Sequence, residues 1–196
     1  MNKSIESAAK FGTRQITVIG MLSAITIVLG STGIGFIPLP MAKATIMQIP
    51  VIIGAILEGP IVGMSIGLIF GLFSIFQNAT SPNILSFAFL NPIVSVIPRM
   101  LIGVVAYYCY CIPFVKNQLI KTGIGAIAGS LTNTFGVLSA IYVIYAVQFA
   151  QAKEISVNTA AAVIYGIAVT NGIPEAIIAA VVVIPVVMAV RKAFKR

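Results

Sequence analysis

Arg99 stands inside the apolar run NPIVSVIPRMLIG, residues 91–103, directly behind Pro98. A permanent cation in such surroundings needs partners. Few residues are equipped to act with it. The four carboxylates, Glu6, Glu58, Glu154 and Glu175, are scattered, and the chain has no histidine. No acidic cluster can hold a divalent cation for phosphoryl transfer, and no Ser-His or Cys-His pair can make a nucleophile. There is no G-x-x-x-x-G-K-[ST] loop, so the chain cannot use ATP by itself. The expectation is a protein that is not an enzyme and has no catalytic residue, no metal and no cofactor. Cys109 and Cys111 form a C-x-C pair without His or acidic neighbours, and they read as two thiols in a reducing compartment.

The polar residues set in apolar stretches are Gln48, Asn78, Asn91, Arg99, Asn133, Thr134, Asn171 and Glu175. In hydrocarbon such groups must face a bundle interior or a wet cavity, so they are expected to converge. The stretch TNGIPE sets Asn171 and Glu175 four residues apart, on one helix face. Pro98 and Pro174 each remove a backbone donor and free a carbonyl, which suits a cavity wall as well as a kink. Arg99 lies about ten residues into its apolar run and Glu175 about nine into its own, so at about 1.5 Å per residue the two charges fall at similar depth and could meet. Two readings of that pair stay open: an ion pair that fixes two helices, or a pocket floor that offers the remaining guanidinium donors to a ligand.

The elements that position these residues follow from composition. Of 196 residues, 59% are hydrophobic and only 8% charged; the mean hydropathy is +1.09. These values belong to an integral membrane protein. A bilayer core about 30 Å thick takes roughly 20 apolar residues per helix, and six runs of that order are read: Gln15–Ser31, Thr45–Leu57, Ile61–Phe76, Phe89–Cys111, Gly123–Val147 and Gly166–Val190. The second is short and is parted from the third only by Glu58–Pro60. A four-span alternative makes residues 45–76 a re-entrant hairpin. The fold class is therefore an all-α membrane bundle of six transmembrane helices. It forms a single membrane domain, 1–196, with a cytoplasmic lead-in at 1–14 and a basic cytoplasmic tail at 191–196.

Charge placement orients the bundle. Six spans put Lys3, Lys10, Arg14, Lys116, Lys121, Arg191, Lys192, Lys195 and Arg196 on one side, and only Lys43 and Lys153 on the other. That bias makes both termini cytoplasmic. It also accounts for the +8 net charge without a nucleic-acid partner, since the basic residues form no patch interleaved with aromatics. The polar N-terminal stretch has no small-residue cleavage site after the first apolar run, so it reads as a lead-in and not a signal peptide.

Small residues mark contact faces. Gly20 and Ala24 lie four apart on the first helix; Gly63, Gly67 and Gly71 form a stripe on the third. Each set suits either packing within the bundle or docking of another membrane subunit. The outer loops Gly33–Lys43 and Asn78–Asn83 are long enough to cover a pocket that opens outward.

The runs Ala44–Ser74, Asn91–Tyr107 and Asn171–Ala180 (ATIMQIPVIIGAILEGPIVGMSIGLIFGLFS, NPIVSVIPRMLIGVVAY and NGIPEAIIAA) resemble, in order, the substrate-binding S component of energy-coupling factor (ECF) vitamin transporters. The branch they resemble includes binders of pantothenate, folate and cobalamin. The resemblance implies a six-helix membrane subunit that captures a vitamin, and it implies partners: a transmembrane T subunit and two cytoplasmic ATPases, in the lipid bilayer. Family members use an Ala-x-x-x-Ala motif on the first helix to meet the T subunit; the matching positions here are Gly20 and Ala24. Lys43, Asn91, Arg99, Asn133, Asn171 and Glu175 are the candidate substrate-binding residues. Two cations and three neutral amides suit a carboxylate-bearing vitamin. Pantothenate is the expected substrate, with folate, cobalamin and other micronutrients as alternatives. Two further readings are a self-sufficient small carrier or channel, and an assembly subunit without a ligand.

Overall fold

A computed structural model describes residues 12–38, 43–82, 85–153 and 155–194. The elements are α1 (Thr13–Ser31), β1 (Phe36–Pro38), β2 (Lys43–Thr45), α2 (Ile49–Glu58), α3 (Pro60–Thr80), α4 (Ser86–Phe89), α5 (Pro92–Ser95), α6 (Ile97–Tyr110), α7 (Gln118–Ala152) and α8 (Val157–Phe194). The two strands pair antiparallel, Phe36 opposite Thr45 and Pro38 opposite Lys43. Among the described residues five segments have the length and apolarity to cross a membrane: α1, α3, Pro92–Tyr110, α7 and Thr159–Phe194. Their outer faces carry large apolar side chains, among them Met21 and Val28 on α1, Leu72 and Phe76 on α3, and Ile177 and Val181 on α8. The protein is a multi-pass membrane protein.

The second apolar run differs most from its expected form. Its helix spans only Ile49–Glu58, a rise of about 15 Å, because Lys43–Thr45 is drawn into the hairpin. Every residue from Ile49 to Ile56 is buried. A helix apolar on all sides has no polar face that needs water, so it can be enclosed completely, and α1, α3, α6, α7 and α8 all pack on it. The turn that follows depends on Gly59, whose φ of 101° and ψ of 172° fall in a region essentially open to glycine alone. Pro60 then opens α3 at a position where a missing donor costs nothing.

The glycine stripe of α3 packs within the bundle. A Cβ on Gly63 would lie 2.5 Å from the Ala55 Cβ and 2.9 Å from the Gly103 Cα; one on Gly67 would collide with the Arg99 carbonyl; one on Gly71 would lie 2.7 Å from the Val96 Cα. Only hydrogen at these positions lets α3 sit against α2, α5 and α6. Gly20 on α1 is the opposite case, since a Cβ there meets nothing within 4 Å. Gly20 and Ala24 are both exposed.

The fourth run, expected to be continuous from Phe89 to Cys111, is broken into α5 and α6. Asn91 caps α5, its side-chain oxygen accepting from the Ile93 N–H at 2.9 Å, and Pro92 follows as the first helical residue. The runs expected at Gly123–Val147 and Gly166–Val190 extend to 35 and 38 residues. At about 1.5 Å per residue each exceeds 50 Å, well beyond a 30 Å core. The overhang of α7 kinks at Tyr145, where φ is −129° and ψ 25°. Tyr145 is held there by Asn91, which donates to its hydroxyl at 3.1 Å, and by the edge of the Phe87 ring. A second apolar core of Ala88, Val94, Ile141, Phe149 and Ile164 joins α4 and α5 to this overhang.

At the opposite end the chain termini of the bundle are tied together. Arg14 and Glu58 form an ion pair at 2.6 Å. The Gln118 side-chain oxygen accepts from the Tyr110 hydroxyl at 2.9 Å and from Arg191 at 3.3 Å. The start of α1, the end of α2, the end of α6, the start of α7 and the end of α8 thus lie side by side. Cys109 and Cys111 are free thiols on α6 and just beyond it.

Candidate substrate-binding site

Pro98 explains the position of Arg99. In a continuous helix the Val94 carbonyl would accept from the N–H four residues on, and at Pro98 there is none. The Arg99 guanidinium supplies that bond instead, donating to the Val94 oxygen at 2.7 Å. Its flat faces are used as well: Phe70 of α3 lies 5.5 Å from the guanidinium carbon and Phe89 of α4 lies 5.4 Å from it. Two aromatic faces and a carbonyl are a favourable seat for a cation with 6% exposure. The Arg99 Nε is buried without a hydrogen-bond partner.

Glu175 is held from two other elements. One carboxylate oxygen accepts from the Thr45 backbone N–H at 2.7 Å, and the other accepts from the Thr134 hydroxyl at 2.6 Å. The first bond ties the end of the β1–β2 hairpin to the middle of α8. Irregular backbone at this depth is tolerated because protein surrounds it and satisfies it. Arg99 and Glu175 form no direct ion pair. Among the described residues the ion pair that forms is Arg14–Glu58.

One turn below Thr134, Ser130 accepts from the Gln48 amide at 3.2 Å. Measured upward from Gln118 and Arg191, Thr134 and Glu175 both lie about 24 Å from the tied end, and Ser130 about 18 Å. Gln48, Asn133 and Asn171 are all buried, with exposures of 0%, 4% and 7%. Each keeps a side-chain oxygen without a hydrogen-bond partner, as Arg99 keeps its Nε. A buried unpaired polar group costs about 1–3 kcal/mol. Here four of them flank one bonded chain, Gln48–Ser130 and Thr134–Glu175–Thr45. Three side-chain oxygens and the Arg99 Nε are therefore buried in the middle of the bundle without partners.

Of the residues expected to bind substrate, Arg99, Asn133, Asn171 and Glu175 belong to this cluster. Asn91 is spent on capping α5 and holding Tyr145. Lys43 stands in β2, and its side chain lies outside the described residues. The sequence reading missed Ser130, the Thr45 backbone donor, and the two rings that seat Arg99. Ser130 and Thr134 had a legible signal, being one turn apart beside Asn133; the rings had none. Among the described residues no group of His, Cys, Asp and Glu could hold a metal ion.

The fold and site define a class: a multi-pass membrane protein with a buried polar cluster at its centre. The chain belongs to the substrate-specific components of ECF transporters, whose family it matches over residues 14–187. It is a transport subunit and not an enzyme. It is 32% identical, over 171 residues, to the pantothenic acid transporter PanT of Lactococcus lactis subsp. cremoris, covering 80% of this chain and 81% of that one. It is 35% identical over 115 residues to the pantothenate transporter PanT of Leuconostoc mesenteroides subsp. mesenteroides, covering 54% and 56% of the two chains.

Proposed function

We propose that this chain captures pantothenate from outside the cell and delivers it by docking to a transmembrane T subunit carrying two cytoplasmic ATPases. The observation that carries the substrate is the match between cluster and ligand. Pantothenate has one carboxylate, and its two hydroxyls and one amide supply three hydrogen-bond donors. The cluster offers the unpaired guanidinium Nε of Arg99 to the carboxylate and the unpaired side-chain oxygens of Gln48, Asn133 and Asn171 to the donors. Two relatives named as pantothenate transporters support the same choice.

The membrane arrangement we propose has six crossings, the second made by the hairpin end and α2 together, with both termini in the cytoplasm. Nine basic residues against two favour that orientation. The exposed face of α1 around Gly20 and Ala24 is the docking face for the T subunit, because a small-residue face lets another helix approach closely.

The test is equilibrium binding of labelled pantothenate to the purified full chain, with unlabelled folate, cobalamin and thiamine as competitors. Saturable binding displaced by pantothenate alone is expected. Binding of folate or cobalamin in its place refutes the substrate. A self-sufficient carrier or channel is the alternative if the chain, reconstituted alone in vesicles, moves the vitamin; an assembly subunit is the alternative if it binds none of these ligands.

A further inference from the structure

At the tied end of the bundle a cleft of about 700 Å³ opens between the start of α1 and the end of α8. The helix α1 packs mainly on α2 and α3 and meets the end of α8 where Arg14 lies over Phe194, with the cleft between them. Leu57 and Met188 line the cleft from the apolar side, and Arg14, Gln118, Arg191 and Lys192 line it from the polar side. The charges are not equivalent. Arg14 is neutralised by Glu58 and lies over the Phe194 ring, 4.7 Å from its centroid. Arg191 is oriented by Gln118 and by the Tyr110 ring, 5.1 Å away, and no carboxylate accompanies it or Lys192 among the described ion pairs.

We propose that this cleft binds the phosphate headgroup of an anionic phospholipid, with Arg191 and Lys192 as its cationic contacts. A phosphate suits a guanidinium held flat and an ammonium one residue on. A lipid suits the rest of the wall. The cleft lies between two membrane helices at the end of their apolar lengths, where headgroups lie, and the exposed Val182 and Val186 continue upward from it on α8 as an acyl-chain track. A soluble phosphate compound would leave Leu57, Met188 and Ala189 uncovered. Basic pockets between membrane helices are a recurrent form of lipid recognition.

The test is native mass spectrometry of the purified full chain titrated with phosphatidylglycerol and, separately, with phosphatidylcholine. Phosphatidylglycerol is expected to be retained at least tenfold better. The double variant Arg191→Gln with Lys192→Gln should weaken retention by about thirtyfold, at roughly a factor of five per basic residue. The charge-keeping pair Arg191→Lys with Lys192→Arg should retain it, which separates loss of charge from loss of fold. Ala189→Trp, which fills the cleft without altering charge, should abolish retention. Equal retention of the two lipids, or undiminished retention by the Gln pair or by Ala189→Trp, overturns the proposal. Displacement of the lipid by millimolar glycerol phosphate also overturns it, in favour of a soluble ligand. If the Gln pair keeps its lipid but loses the T subunit on co-purification, the surface is a protein interface and the proposal fails.

Discussion

Replacing Arg99 with methionine removes three things at once: the bond to the Val94 carbonyl, the contacts with Phe70 and Phe89, and the unpaired guanidinium Nε of the cluster. The first two hold the protein together whatever the ligand. Only the third depends on a carboxylate in the ligand, and that difference can be isolated by changing the ligand as well as the protein. The alcohol analogue of pantothenate carries CH2OH in place of the carboxylate and keeps the other hydroxyls and the amide. A hydrogen bond to a charged group contributes about 1.5–3 kcal/mol. With Arg99 6% exposed, water screens little of that. The wild-type chain should therefore prefer the acid to the alcohol by about tenfold to a hundredfold.

In Arg99→Met that preference should fall to about one, even if both ligands bind less tightly than before. The assay is the dissociation constant of each ligand for each protein in detergent, and the quantity to read is the ratio. Because only the ratio is used, a general loss of packing cancels. If both ligands weaken equally and the ratio stays at its wild-type value, Arg99 serves only to cap Val94 and anchor the turn between α5 and α6. The carboxylate would then be bound elsewhere.

Two further outcomes are expected. Leucine at Gly20 or Ala24 should abolish uptake in cells that supply the T subunit and ATPases while leaving pantothenate affinity unchanged, because nothing within the bundle lies within 4 Å of a Cβ at Gly20; an equal fall in affinity would show that α1 supports the site. Gly67→Ala should destabilise the protein by more than about 1 kcal/mol, since its Cβ collides with the Arg99 backbone, whereas Gly166→Ala, facing open space in α8, should be neutral or stabilise by a few tenths; equal thermal midpoints for the two variants would contradict the tight α3–α6 contact.

The membrane class, the apolar runs and most of the polar cluster were legible because each rests on a local property. Hydropathy marks a helix by its own length, and an asparagine or carboxylate in such a run must turn inward whatever its neighbours are. Asn171 and Glu175 could be placed on one face from their spacing alone. What the sequence could not show depends on residues far apart. The ring of Phe70 and the ring of Phe89 flank Arg99 only because Gly67 and Gly71 let α3 approach α5 and α6. Asn91 looked like a binding residue by type; its actual use is set by Pro92 behind it and by a kink 54 residues away at Tyr145. The second run hid its form because a buried ten-residue helix preceded by a hairpin has the same hydropathy as a short span.

The two surfaces assigned to ligand and partner are separated along the chain in a way that has a physical consequence. The hydrogen bonds of the polar cluster are made by the hairpin end, Gln48, α7 and α8, while α1 packs on α2 and α3 and leaves its other face exposed. The covalent link between them is the stretch that leaves α1 at Ser31, forms the hairpin and returns to the bundle at Thr45, where the backbone N–H reaches Glu175. That return is fixed by one charge-assisted bond on one side and by the fully buried Met47 and Gln48 on the other. A ligand that engages the uncommitted oxygen of Gln48 therefore acts on the same few residues that anchor the hairpin, and the hairpin is the direct continuation of the helix carrying Gly20 and Ala24. The polar cluster and α1 are thus neighbours in sequence, joined by the segment between Ser31 and Thr45.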